Sequence, residues 1–543
     1  MKNKALLLLG IITVISCTKL EDQSYTEILT EGFEPTEEDV AAIVGAAYGS
    51  WRKILLFWDG FWRVQENCAD EVITPPRPNG WVDGGKFRRM HRHVWTEDDE
   101  IVTQTWSRTY SGISDCNRII YQIESGFLPL EDEARNVTLA ELKVLRASYY
   151  YVLVDMYGNV PIVTDYVVEE GFLPEQNTRH EVFDFIVSEI TDNLQYLSRE
   201  HGGVYYARFN QWAARTLLAK MYLNAEVYTG TSRWDECLEQ CDSIIANIDI
   251  AGFGLESNQK NVFVTENQDS KEIMFGIAID DDFTTEWNTF DIHMQTLQPA
   301  CQATYELSQT PWGGMGAIPQ FINTFDPDDS RFTDNFITGQ QYSSTGAVLL
   351  CTLGDSIGKP LTFINEILPI DQVSQEVHGF RFGKFEYAVG SSNIINNDFP
   401  LFRYADVLMM KAECLLRTGH SDEAAEIVTQ LRERAFTSAP EKAPVTGAEL
   451  MGGSVYEYGL RDEGGLGITY EGGDDIQYGR MLDELGWEFN QEGRRRQDMI
   501  RFGIFTTKSF LSHPAQPDDH TSLYPIPRTV LESNANLEQN PGY

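Results

Sequence analysis

The chain has 543 residues, with 42 Lys and Arg against 82 Asp and Glu and a formal net charge of −40 at pH 7. Its 42% hydrophobic and 12% aromatic content supplies a large core and excludes a disordered chain. So acidic a chain, whose longest unbroken basic run is Arg494-Arg495-Arg496, lacks the basic face that nucleic acid requires.

At the N-terminus, Lys2 and Lys4 precede an apolar run from Ala5 to Ile15, then Ser16-Cys17. The run is too short for a bilayer-spanning helix, which needs about 20 residues, and suits a secretory signal peptide. Val14-Ile15-Ser16-Cys17 resembles a bacterial lipobox, which predicts a signal peptide over 1–16, a lipid anchor on Cys17 and a tether over 17–35. The remaining cysteines, Cys68, Cys116, Cys237, Cys241, Cys301, Cys351 and Cys414, are sparse and lack zinc spacing. Cys237 and Cys241 fit small core positions on a helix better than a disulfide.

Helical periodicity dominates the next 200 residues. Thr36-Glu37-Glu38-Asp39 predicts a capped helix start, with Thr36 at the N-cap. Further helices are expected from Glu97 to Glu124, Glu131 to Tyr157, Thr178 to Leu197, Phe209 to Tyr228 and Trp234 to Asn247. From 249 to 400 the helical pattern gives way to Gly, Pro, Asn and aromatic residues, with short strand-like runs such as Glu272–Ile279. A second, Gly-rich irregular stretch covers 437–480. Helices return at Leu401–Arg417, Asp422–Phe436 and Met481–Phe502. In that last helix Glu492 is expected to reach Arg496, and Asp498 to reach Arg501. Trp212–Tyr228 with Trp234–Ile245 resembles Tyr404–Arg417 with Ser421–Arg434: both pairs place small residues among large aliphatics, as tetratricopeptide-type repeats do. The predicted fold is mainly α, an interrupted array of tetratricopeptide-like helix pairs with long, irregular, aromatic-rich loop insertions and little β. The scaffold is expected over 36–248 and 401–543, as one domain with insertions 249–400 and 437–480.

Four ordered motifs carry a family resemblance. Leu523-Tyr524-Pro525-Ile526-Pro527 followed by Asn536-Leu537-Glu538-Gln539-Asn540-Pro541-Gly542-Tyr543 closes the chain; Phe402-Arg403-Tyr404-Ala405-Asp406-Val407-Leu408 opens a helix; Glu488-Phe489, Glu492-Gly493, Arg495, Asp498 and Arg501-Phe502-Gly503 form a third set. Asp70-Glu71, Trp106, Tyr110, Ile113 and Asn117 form the fourth. Together they resemble the SusD/RagB family of Bacteroidetes outer-membrane glycan-binding lipoproteins. Leu485, where an Arg is common, and Arg496, where a Trp is common, depart from that pattern within the scaffold. The resemblance implies a cell-surface, lipid-anchored protein of the outer membrane, with an oligosaccharide or polysaccharide as ligand. It also implies a SusC-like TonB-dependent transporter as partner, and no cofactor. Lys19-Leu20-Glu21-Asp22 is similar to signals that send such lipoproteins to the outer face.

Sugars stack their apolar faces on aromatic rings and take directional hydrogen bonds from a few polar groups, so loop aromatics are the candidates. Trp106 and Trp212 fall inside periodic helices and Trp51, Trp234 and Trp487 at packing positions. Trp58 and Trp62 are weaker candidates. Trp81 sits in the rigid-then-flexible loop Pro75–Gly85, with Arg77 and Asp83 as polar neighbours. Trp312 lies between Pro311 and Gly313-Gly314, which leave its ring uncrowded. Trp287 and Tyr305 complete the candidate set. Asp280-Asp281-Asp282 lacks the spacing of a calcium loop, and His91 with His93, read as one strand face, lacks a third zinc ligand, so no metal is expected. No H-E-x-x-H, P-loop or dinucleotide fingerprint is present, and an enzyme is not expected. The competing readings are a helical-repeat scaffold that binds only proteins, and a glycoside hydrolase with paired carboxylates.

Overall fold

Helix formation begins at the capping box: Thr36 Oγ1 accepts from the Asp39 N–H, and the Asp39 carboxylate accepts from the Thr36 N–H at 2.9 Å. The computed structural model describes residues 36–543 apart from 57–58, 81–82, 281–283, 285–289 and 463–464. Cys17 and its tether, Trp58, Trp81, Trp287, Asp281 and Asp282 therefore lie outside the described residues, as does the side chain of Asp83.

The predicted helices form close to their expected bounds. They are α1 (Glu37–Leu55), α2 (Glu100–Glu124), α3 (Asp132–Met156), α4 (Arg179–Asn193), α5 (Gln211–Leu223) and α6 (Trp234–Ile245). Each of α1–α3 packs on the next, α4 on α3 and α5, and α5 on α6. The helix α7 (Tyr404–Arg417) packs against both α6 and α5, and α8 (Ser421–Ala435) packs on α7. The two similar helix pairs are thus neighbours, and the repeat array runs unbroken through the fold. Small side chains permit the approach: Ala213, Ala219, Ala405 and Ala412 are fully buried. Cys414 of α7 lies beside Cys237 and Cys241 of α6, as buried, free thiols. Trp51, Trp106, Trp212 and Trp487 are core residues, as the pattern implies, and Trp62 is buried with them.

The excursion between the pairs is closed at its root by an antiparallel ribbon of β1 (Ile273–Ile277) and β2 (Phe399–Arg403), with Ile277 opposite Phe399 and Ile273 opposite Arg403. β-branched and aromatic side chains suit this buried ribbon. Phe275 stacks on Phe209, just before α5, at 4.3 Å between ring centroids and so pins the ribbon to the frame. The loops of 278–398 leave and return at one place, and the helices continue as if they were absent.

Two expectations need correction. Met481–Phe502 is not one helix but α9 (Gly479–Phe489) and α10 (Arg495–Arg501), separated by a turn in which Gln491 has φ 66° and Gly493 φ 73°. Glu492 consequently faces Arg403 at 2.7 Å instead of Arg496, which pairs with Asp155 at 2.7 Å; the Asp498–Arg501 pair forms at 2.7 Å. Second, His91 and His93 do not share a strand face. His91 ends the helix Lys86–His91, His93 has φ 52°, and both are buried.

Charged residues of three of the family motifs meet in buried ion pairs. Arg403 meets Glu272 at 2.7 Å, Glu488 at 2.8 Å and Glu492 at 2.7 Å; Arg434 meets Glu272 and Glu488, both at 2.6 Å. Arg495 holds Asp70 at 2.7 Å, joining the N-terminal motif to the C-terminal one. Burial alone raises the pKa of the Glu488 carboxyl, but Arg434, Arg403 and Arg331 outweigh it and hold the group well below the usual carboxylate range.

Candidate functional site

Trp312 is built into a loop tied down through its backbone. Its N–H donates to the Met294 carbonyl at 2.7 Å, and the next glycines are drawn onto the short helix Ile292–Thr296 by Gly314 N–H donating to Gln295 O at 2.8 Å. Gly313 has φ 72°, and a Cβ there would lie 2.7 Å from Gln298 Oε1, so only glycine fits beside Trp312. The ring itself is half-buried.

The Pro75–Gly80 segment closes on this loop from the other end of the sequence. Asn79 Nδ2 donates to the Trp312 carbonyl. Arg77 Nε donates to Gly314 O at 2.9 Å, and Arg77 Nη1 donates to Gln375 O at 3.0 Å and His378 O at 2.9 Å. Through Asn79 and Arg77 the Pro75–Gly80 segment meets the Trp312 loop. Arg77, however, is 2% exposed, and its Nε and Nη1 donate to carbonyls. It underlies the platform, and the expectation that its guanidinium touches ligand is corrected by this burial. Burial, with Arg381 beside it, lowers the Arg77 pKa well below its ordinary value.

Tyr305 ends the short helix Gln302–Tyr305, half-buried, with its ring edge-on to Tyr387 at 5.6 Å. Gln302 of the same turn accepts from Thr310 Oγ1 at 2.7 Å, two residues before Trp312. Burial pushes the Tyr305 phenol up, which keeps it a neutral hydroxyl. The structure thus ties the Trp312 loop to Arg77 directly and to the turn carrying Tyr305 through Thr310. Trp81, Trp287 and the Asp83 side chain lie outside the described residues.

Sequence reasoning missed two contributors. Asn79, the clamp on Trp312, was legible only as a turn residue. Tyr342, whose carbonyl accepts from Thr304 Oγ1 at 2.7 Å, belongs with Val348 and Leu350 to an exposed apolar row backed by buried Gln341, Leu349 and Cys351. Its signal was the alternation around the Ser343–Gly346 turn.

Three open hollows, of about 570, 410 and 340 Å³, lie on the described surface, and none is lined by Trp312, Tyr305 or Arg77. The strongly raised carboxyls are enclosed: burial lifts Glu71 well above the usual carboxylate range and pushes Glu66 and Asp483 up to about 7, and the three lie 1%, 0% and 4% exposed. Asp398, raised by burial beside one hollow, accepts from Tyr206 Oη at 2.6 Å and from the Ile279 N–H at 2.7 Å. No helix among the described residues is long and apolar enough to cross a membrane.

A profile of the SusD family matches residues 376–514, and one described as starch-binding associating with outer membrane matches residues 64–223. The chain is 23% identical over 534 residues to the starch-binding protein SusD of Bacteroides thetaiotaomicron, covering 89% of this chain and 86% of that one. Its fold is similar to that of a laminarin-binding SusD-like protein, with a TM-score of 0.69 and 19% identity, over 94% of this chain and 100% of the other. It is also similar to surface glycan-binding protein A from B. thetaiotaomicron, solved with laminarihexaose, with a TM-score of 0.69 and 17% identity over 93% of this chain and 100% of that one. The matched stretches hold the Asp70–Arg495 pair and Arg403 with Glu488 and Glu492, while Glu272 and Trp312 fall between them. On profiles, relatives, fold and motifs alike, the chain belongs to the SusD/RagB family.

Proposed function

We propose that the chain is a cell-surface lipoprotein that captures oligosaccharide on an aromatic shelf and passes it to a SusC-like TonB-dependent outer-membrane transporter, breaking no bond. Trp312 and Tyr305 stack against the sugar, with Trp81, Trp287 and Asp83 completing the contact surface and Arg77 holding the two loops in register. Cys17 carries the lipid anchor, and residues 36–543 act as one unit. The carrying observation is the half-buried Trp312 on a loop clamped through Asn79, Arg77 and Gln298. A ring held in place before ligand arrives loses little entropy on binding. Starch, laminarin and laminarihexaose in the names of relatives support a glycan as ligand.

The burial of Glu66 and Asp483 favours a binder over a glycosidase, because a general acid must reach the glycosidic oxygen. Titration of the non-lipidated Cys17→Ala chain with an oligosaccharide panel tests the reading. Binding in the micromolar-to-millimolar range without product is expected, since polar sugar groups exchange one set of hydrogen bonds for another. Reducing sugar released at enzymatic rates would favour the hydrolase. Protease shaving of whole cells tests surface exposure.

A further inference from the structure

Residues 164–173 are exposed without a break, although the stretch carries large apolar side chains. Tyr166 is 47% exposed, Val167 63%, Val168 48%, Phe172 51% and Leu173 43%. Tyr121 of α2, 46% exposed, extends the patch, its ring centroid 5.9 Å from that of Tyr166. A contiguous apolar patch of this kind marks an interaction surface.

The loop is held firmly at its root. Val160 bridges to Asn177, whose Oδ1 accepts from the Ile162 N–H at 2.9 Å, and Asn117 Nδ2 donates to Val163 O at 2.9 Å. On the return side, Asn536 Nδ2 donates to Leu173 O at 3.0 Å and Asn534 Nδ2 to Pro174 O at 2.9 Å. Gly171, with φ 82°, turns the tip. The chain therefore holds apolar side chains out in a fixed shape, which keeps the entropic cost of docking low.

The charge around the patch selects the partner. Asp165, Glu169, Glu170 and Glu175 punctuate the loop, and no Lys or Arg stands between Arg146 and Arg179. Four carboxylates disfavour an anionic lipid surface and favour a protein face with an apolar centre and a Lys/Arg rim. We propose that the 164–175 loop is a docking element that seats the chain on its transporter through such a face. This rests on the transporter reading above.

The test is co-purification of a β-barrel transporter with the full-length chain, from detergent-solubilised outer membrane and through a tag on the chain. Val167→Asp with Phe172→Asp is expected to lower recovery at least tenfold and leave the melt and oligosaccharide binding unchanged. Glu169→Lys with Glu170→Lys is expected to lower it as well, and wild-type recovery to fall as salt rises. Undiminished recovery of both variants overturns the loop assignment and leaves the transporter reading intact. Failure of the wild type to bring down any barrel overturns that reading, and the docking role with it. Binding of the Cys17→Ala chain to phosphatidylglycerol vesicles, lost in the Val167→Asp/Phe172→Asp variant, would assign the loop to lipid and overturn the proposal.

Discussion

Arg77 and Gly314 stand 237 positions apart in sequence and are joined by a 2.9 Å hydrogen bond from Arg77 Nε to the Gly314 carbonyl. Through it the Pro75–Gly80 segment fixes the loop that presents Trp312. The guanidinium reaches three carbonyls on two loops, a spread that the compact Lys ammonium cannot cover. Arg77→Lys is therefore expected to lower stability by ~1–3 kcal/mol, the cost of leaving buried carbonyls unpaired. It should also weaken oligosaccharide binding by loosening Trp312. Urea denaturation and titration calorimetry check both. A variant with full affinity would separate Arg77 from the site.

The Arg403 lattice sets a second expectation. Arg403→Met leaves Glu272, Glu488 and Glu492 buried with one cation fewer. Breaking a buried pair from one side costs about 3–5 kcal/mol. Glu492→Gln keeps an acceptor for Arg403 and Lys384 and should cost less. Denaturant titration of both variants checks the order, and a loss under about 1 kcal/mol for Arg403→Met would contradict it.

The histidines give a pH dependence. His91, His93 and His513 each place one ring nitrogen on a backbone carbonyl, of Leu511, Cys68 and His91 respectively. Burial pushes His91 down to about 3 and His513 to about 4, and His93 lies well below its ordinary value; His513 adds repulsion on the other two. All three folded values lie below the unfolded value of ~6.5, so the stability they support is intact above pH ~6.5 and is lost as pH falls from there toward about 4. Glu66 works in the opposite sense. Its carboxyl is raised to about 7, so stability is gained as pH falls from 7 toward its unfolded value. The difference between wild type and His93→Phe isolates the imidazole. The variant's pH slope over that acid window should be smaller by about one proton, ~1.4 kcal/mol per pH unit. An unchanged slope would show that His93 does not titrate with unfolding.

Much of the frame was legible in sequence because amphipathic period and caps are local signals. Thr36 with Asp39, and the small residues of α5 and α7, carried the first helix and the joined pairs. The break at Gln491 and Gly493 was not legible, because helical i,i+4 spacing reads straight through Glu492 and Arg496. That misread turn hid the lattice around Arg403, whose partners come from β1, α9 and the turn after it. At the site, the aromatic loop around Trp312 could be picked out by its glycines. The burial of Arg77 could not, since an Arg among prolines reads as a surface residue until its three carbonyl partners are known.

The most direct measurement is calorimetric titration of the Cys17→Ala chain and its Trp312→Ala variant with the same oligosaccharide. Stacking on Trp312 predicts a loss of roughly 1–3 kcal/mol, by analogy with base stacking on aromatic side chains, with a nearly unchanged thermal melt. Equal affinity in the two proteins, with the melt lowered in the variant, would make Trp312 a packing residue and contradict the capture mechanism.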